Sequence, residues 1–156
     1  MPATDELPEG LVYREDFISA DEERRLLGEL EVVAFRTVEM RGQTARRMVR
    51  HFGLDYEYET GDLIPADLSR YPEGAGIGWH RDAPMFGSKV AGVSLLAACR
   101  MRFRRTVGGV RSTAALELAP RSAYLLSGKA RWSWQHSIPA TRELRYSITF
   151  RTLKRA

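Results

Sequence analysis

Apolar positions in this chain recur mainly at a period of two, in short runs separated by glycine- and proline-containing turns. One segment breaks that rhythm. Ser19 and Glu22 form an S-x-x-E capping box, and Leu26, Leu27 and Leu30 follow at helical spacing, which predicts a helix over residues 20–30. Before it, Leu11-Val12-Tyr13 reads as a short strand leading to Asp16-Phe17-Ile18. After it, strands are expected over 32–38 and 48–52, flanking a turn centred on Gly42, and again over 54–58. Residues 60–65 read as a break. From Leu68 the turn Pro72-Glu73-Gly74-Ala75-Gly76 leads into a strand over 77–82, which Ala83-Pro84 ends. Residues 90–103 have room for one or two buried strands, 107–112 form a turn, and strands over 115–118 and 122–126 flank Ala119-Pro120. A strand over 131–136 would put Trp132, Trp134 and His136 on one face, with both tryptophans in the core. Residues 144–152 close the chain as a final strand. One helix followed by about eight short strands is the mainly β pattern of a sandwich or jelly roll.

Composition narrows this further. A chain of 156 residues with 44% hydrophobic content fits one domain, residues 1–156, with a sizeable core. Residues 1–10 are acidic and polar, unlike a signal peptide, and no apolar run approaches the roughly 20 residues that span a bilayer. The single cysteine, Cys99, excludes an internal disulfide and fits a reducing, cytoplasmic location; its apolar surroundings mark it as core filler. A monomer is expected. The net charge of +4 admits a polyanionic partner without requiring one. Arg41, Arg46 and Arg47 sit in the loop around Gly42, either as a solvated turn or as an electropositive lip for phosphate; Arg100, Arg102, Arg104 and Arg105 form a second basic run. His51 reads as structural.

Candidate chemistry gathers in two places. In YPEGAGIGWHRD, residues 71–82, a regular strand would point His80 and Asp82 to the same side, about 6.6 Å apart. Those are two of the three ligand types of the 2-His-1-carboxylate triad, which holds non-haem Fe(II) with positions left open. Alone, HxD is more often a solvated surface pair. In the last strand, Tyr146, Ile148 and Phe150 share one face, and Arg145, Ser147, Thr149 and Arg151 share the other. The polar face is either wet, as in many antiparallel sheets, or turned into a barrel to read a dicarboxylate. Arg145 and Arg151 would lie about 20 Å apart at Cα, and side chains leaning inward would leave a gap suited to a five-carbon diacid.

The series YxxGxxIxxHxD, a distant His136, and RxSxTFR resembles the AlkB-like Fe(II)/2-oxoglutarate-dependent dioxygenases, whose closing motif is RxNxTFR. Supporting segments run through the whole chain, among them Arg46-Arg47…Phe52-Gly53…Tyr56 and Trp134-Gln135-His136-Ser137-Ile138-Pro139. The resemblance implies a double-stranded β-helix (a jelly roll) with an N-terminal helix and a metal at one mouth. It implies that His80, Asp82 and His136 ligate Fe(II). Arg145, aided by the Tyr71 hydroxyl, would bind the distal carboxylate of 2-oxoglutarate, with Ser147 in place of the family's asparagine. Arg151 would sit near the cosubstrate's chelating end, and O2 would take the remaining position. The implied reaction is oxidative decarboxylation to succinate and CO2, coupled to hydroxylation of a C–H bond; an N-methyl group so treated leaves as formaldehyde. Ser69 and Ser147 replace family asparagines, Pro84 replaces a common acidic residue, and only twelve residues separate Tyr58 from Tyr71, where relatives carry a longer stretch. The expected substrate is an alkylated base in DNA or RNA, single-stranded or flipped, met by Arg46, Arg47 and Arg81 with stacking on Tyr56 or Trp79. Three alternatives stand beside this: a dioxygenase of protein side chains, a cupin-like metal protein needing neither Arg145 nor Arg151, and a catalytically silent nucleic-acid-binding jelly roll.

Overall fold

The computed structural model describes residues 6–40, 43–51 and 63–153. Its elements run β1 (Leu11–Arg14), α1 (Ala20–Leu30), β2 (Arg36–Met40), β3 (Gln43–His51), β4 (Ile64–Tyr71), β5 (Ile77–His80), β6 (Phe86–Leu95) and β7 (Cys99–Val107). They continue as β8 (Val110–Leu118), β9 (Ala123–Leu126), α2 (Gly128–Trp132), β10 (Gln135–Ile138) and β11 (Arg145–Leu153). The strands form a seven-stranded sheet, β1-β9-β6-β11-β4-β3-β2, and a four-stranded sheet, β5-β10-β7-β8, antiparallel throughout. This is the expected jelly roll with an N-terminal helix.

The two faces of β11 explain the layering. Tyr146, Ile148 and Phe150 join Leu30, Val93 and Leu95 in a cluster beneath the leucine stripe of α1. The capping box forms as the sequence predicts: Ser19 Oγ accepts the Glu22 backbone N–H at 3.1 Å, and Glu22 Oε1 accepts that of Ser19 at 3.0 Å. Between the sheets lies the second cluster, with Met101, Phe103, Leu118, Leu126 and Trp134 at its centre and Cys99 buried among them. No helix of the described residues is long and apolar enough to cross a membrane.

Several expected elements shift for identifiable reasons. Residues 90–103 divide between β6 and β7, and the following turn shrinks to Gly108-Gly109, whose φ values of 58° and 77° suit a two-residue hairpin. Val32 is 84% exposed and continues the turn after α1, so β2 begins only at Arg36. Pro65, expected in a break, lies inside β4 at a register shift opposite Phe150, where a missing N–H disturbs the ladder least. The expected strand over 131–136 is instead the short helix α2 followed by β10. There the buried Arg131 guanidinium donates to the carbonyls of Asp82, Ala83, Phe86 and Gly87, holding that loop through four hydrogen bonds. The helical turn puts Trp132 outside at 42% exposure, while Trp134 remains in the core at 4%. Trp132 is therefore not a core residue. The strand expected over 54–58 lies outside the described residues, as does Tyr56.

Candidate active site

The site forms where β5 and β10 meet at the open end of the four-stranded sheet. His136 pairs with His80 but Ile138 pairs with Ile77, so β5 carries one extra residue. That bulge brings Ile77 and His80 to the inner side together, and both line the central cavity. Trp79 lies on the outer side, with the guanidinium carbons of Arg102 and Arg104 at 5.1 and 4.3 Å from its ring centroid. His80 Nδ1 lies 2.8 Å from the Gly78 carbonyl. Because a carbonyl only accepts, Nδ1 carries the proton and Nε2 is left as the free lone pair.

Asp82 arrives differently from the sequence expectation. β5 ends at His80, so a shared strand face does not place the carboxylate. Arg131 holds the Asp82 carbonyl at 2.9 Å, and Arg151 grips the side chain, with Nε and Nη2 at 2.9 and 2.7 Å from Oδ1. Oδ2 remains, 3.6 Å from His136 Nε2, and the two imidazole centroids are 4.3 Å apart. One ligand atom from each of His80, Asp82 and His136 lies within 4.8 Å of the others, close enough for one ion to gather them after small side-chain adjustments. Burial, reinforced by His80, pulls the His136 pKa down to about 4, so the ring is neutral and available as a ligand at pH 7. Burial pushes the Asp82 carboxyl up, but Arg151 and His136 more than offset it, holding the group below its ordinary value and ionised.

The other end of the cavity belongs to Arg145, buried to 1% exposure. Its Nη2 donates to Ser94 Oγ at 2.9 Å, and its guanidinium carbon lies 4.6 Å from the centre of the Tyr71 ring, its cross-strand partner. Nε and Nη1 are buried without a partner. A buried cation with two nitrogens left unpartnered calls for an anion, and a carboxylate oxygen on Nη1 would supply one. Ser69, Ser147 and Thr149 line the same space. A 2-oxo diacid fits this donor set: Arg145 would hold one carboxylate, and His80, Asp82 and His136 would hold the metal that the other end chelates. Arg151 does not act as the second open fork that the spacing suggested, because Asp82 and Asp67 already occupy it.

The cavity thus collects Tyr71, His80, Asp82, His136, Arg145, Ser147 and Arg151. Arg47, expected on a substrate lip, also enters it and donates to Ser69 Oγ at 3.2 Å. Arg46 lies outside, its guanidinium against Gly74; a Cβ on that glycine would come within 2.4 Å of Nη1. Arg81 is exposed and donates to the Trp132 carbonyl at 3.1 Å. Two polar lining residues are absent from the sequence expectations. Asp67 was legible from the polar face that it shares with Ser69 on β4. Tyr124 was not, because its ring fills the space left by its register partner Gly92, where a Cβ would clash at 2.4 Å.

Comparison with known proteins identifies the family. Residues 65–151, more than half of the chain, match the model of the 2OG-Fe(II) oxygenase superfamily. An Arabidopsis thaliana protein named alkylated DNA repair protein ALKBH8 homolog is 27% identical, with 83% of this chain and 51% of that protein covered. The Xenopus tropicalis tRNA (carboxymethyluridine(34)-5-O)-methyltransferase alkbh8 is 25% identical, with 85% of this chain and 25% of that protein covered. The chain thus spans between a quarter and about half the length of these curated relatives. Among solved structures, OsALKBH1 superposes with a TM-score of 0.68 at 15% identity, covering 97% of this chain and 100% of that one. A Burkholderia pseudomallei oxidoreductase of the 2OG-Fe(II) oxygenase family gives 0.68 at 14% identity, covering 92% and 85%. The chain belongs to the 2OG-Fe(II) oxygenase superfamily as an AlkB-like 2-oxoglutarate-dependent dioxygenase domain, a family whose cofactors are Fe(II), 2-oxoglutarate and O2.

Proposed function

We propose that residues 1–156 act as one domain that oxidises an alkyl group on a nucleic-acid base, with dealkylation as the outcome when that group is N-methyl. The observation that carries the cosubstrate half is the pair of buried, unpartnered Arg145 nitrogens in one cavity with His80, Asp82 and His136. In this reading the His/Asp/His cluster holds Fe(II), which with 2-oxoglutarate and O2 supplies the oxidant, leaving succinate and CO2. The chain's own residues bind and orient. Arg145 takes the distal carboxylate, with Tyr71 against its guanidinium and the Ser147 hydroxyl nearby on the same strand face. Arg151 turns the Asp82 carboxylate so that Oδ2 faces the histidines. The Gly78 carbonyl fixes the His80 tautomer. Burial of His136 and Arg145 keeps bulk water from the reacting centre.

The nucleic-acid half is supported by the names of the curated relatives, one referring to alkylated DNA repair and another to a tRNA uridine, and by the arginines around the mouth. Arg46 and Arg81 are the phosphate contacts of this reading, and a cytoplasmic monomer is its expected form.

The test begins with anaerobic addition of Fe(II) and 2-oxoglutarate to the apo-protein, following the visible charge-transfer band of the chelate. The band is expected in the wild type, absent in His136→Ala, and weakened in Arg145→Ala. Aerobic turnover with N-methylated oligonucleotides should then release formaldehyde and succinate in equal amounts. A chelate band without nucleic-acid turnover, alongside hydroxylation of a peptide, would replace the substrate with protein; no band from folded protein would remove the enzyme reading itself.

A further inference from the structure

The bulge that turns His80 inward places Trp79 on the outer side of the four-stranded sheet, where the second basic run also emerges. Cross-strand pairing sets Arg102 opposite Ala115, Arg104 opposite Thr113 and Thr106 opposite Arg111, so period two brings Arg102, Arg104 and Arg111 to one face. Arg104 is steered there by its own partners: Nε donates to Gln135 Oε1 at 3.0 Å and the guanidinium lies over Trp79. At the end of this face, Arg81, Arg104, Arg105 and Arg111 line a cleft of about 320 Å³, together with polar groups including Ser133 and Gln135. Among the described residues no carboxylate lines it. Arg105 touches the cleft from the other side of β7, its guanidinium lying 4.8 Å from the centre of the core Trp134 ring. Arg81, Arg104 and Arg111 bring positive charge to one space without a lining carboxylate among the described residues, and an anion relieves their mutual repulsion.

Two further observations select the anion. Trp132 precedes the lining residue Ser133, its carbonyl accepts from the lining residue Arg81, and it is 42% exposed with the Arg131 guanidinium 4.1 Å from its ring centre. An open indole beside a cationic groove is the combination that holds a single strand, with phosphates in the groove and a base on the ring. Arg81 stands between His80 and Asp82 in the chain, so a strand crossing the cleft reaches the rim of the cavity within one residue of both side chains.

We infer that this arginine cleft on the outer side of the four-stranded sheet binds the phosphodiester backbone of a single-stranded nucleic acid, and that Trp132 stacks one of its bases. The cleft is separate from the cavity that holds the His/Asp cluster and Arg145. The inference rests on the nucleic-acid reading above and adds where the flanking nucleotides lie. It also accounts for Arg104 and Arg111, which have no part in the chemistry.

The test measures binding of a fluorescently labelled, unmodified single-stranded RNA to protein loaded anaerobically with Fe(II) and 2-oxoglutarate, across a range of salt. Removing one arginine that neutralises a phosphate should reduce the slope of log affinity against log salt by about 0.7, so Arg111→Gln should lower it by that amount and Arg104→Gln/Arg111→Gln by twice as much. Trp132→Ala should weaken binding about tenfold and leave the slope unchanged. Arg111 is exposed and far from the core, so its single variant keeps the test valid if the double variant unfolds. RNA binding with the same slope in Arg111→Gln and the double variant would overturn the cleft and leave the nucleic-acid reading standing. No RNA binding by wild-type protein that still forms the chelate would overturn both. Displacement of RNA by polyglutamate at matched charge would make the partner an acidic protein and overturn the inference.

Discussion

Burying a guanidinium takes five N–H donors out of water, and Arg145 satisfies only some of them within the chain, through Ser94. Arg151 shows the opposite arrangement. Both arginines sit on the inner face of β11, yet Arg151 is committed to Asp67 and Asp82 while Arg145 is left with two open donors. Arg151 serves the metal cluster by fixing a carboxylate, and Arg145 serves the cosubstrate by waiting for one. Removing the second role should separate the two. Arg145→Ala loses a charge-assisted fork, of the order of 2–4 kcal/mol, or roughly 30- to 1,000-fold in the 2-oxoglutarate concentration that half-saturates the chelate band. Arg145→Lys keeps the charge without the planar fork and should fall between. Fe(II) affinity measured without 2-oxoglutarate should be unchanged in both. A parallel loss of metal would mean that Arg145 supports the cluster rather than the diacid.

At the scale of elements, what the sequence made legible was what local chemistry decides. α1 is the clearest case, since its cap bonds and leucine stripe lie within twelve residues of one another. Ser19→Ala removes the hydroxyl that accepts the Glu22 N–H and should cost about 1 kcal/mol, lowering the melting temperature by about 2–4 °C without affecting the chelate band. A fall in cosubstrate affinity would show instead that α1 reaches the site through the cluster beneath Tyr146. β11 was equally legible, because its alternation of apolar and polar residues is uninterrupted and its two faces meet two different layers. The failures were long-range. Nothing near residue 131 signals a helical turn; it forms because Arg131 reaches carbonyls at 82, 83, 86 and 87. The same hydrogen bonds place Asp82 once β5 has ended. So the motif His80-x-Asp82 pointed to the right chemistry through the wrong geometry, with a buried arginine from α2 supplying what the strand period does not.

For the whole molecule, the consequence is that the cavity is part of the core rather than an addition to it. The cation of Arg145 and the neutral ring of His136 sit among residues that join the two sheets, and each gives up hydration in the folded state. Ligands that satisfy them should therefore stabilise the entire fold, not merely a loop. At a hundredfold excess over the dissociation constant, 2-oxoglutarate with a divalent metal should add about 2.7 kcal/mol to stability, a rise of about 5–10 °C in melting temperature. Mn(II) in place of Fe(II) allows the measurement in air without turnover. In Arg145→Ala the rise with 2-oxoglutarate should fall to about a third or less at the same concentration, while that with metal alone persists. In His136→Ala both should be lost, because the diacid then has no ion to chelate. If 2-oxoglutarate stabilised His136→Ala as well as wild type, the diacid would be held by arginine alone. Arg145 would then be a carboxylate receptor uncoupled from the His/Asp cluster, and the coupling on which oxidation depends would be absent.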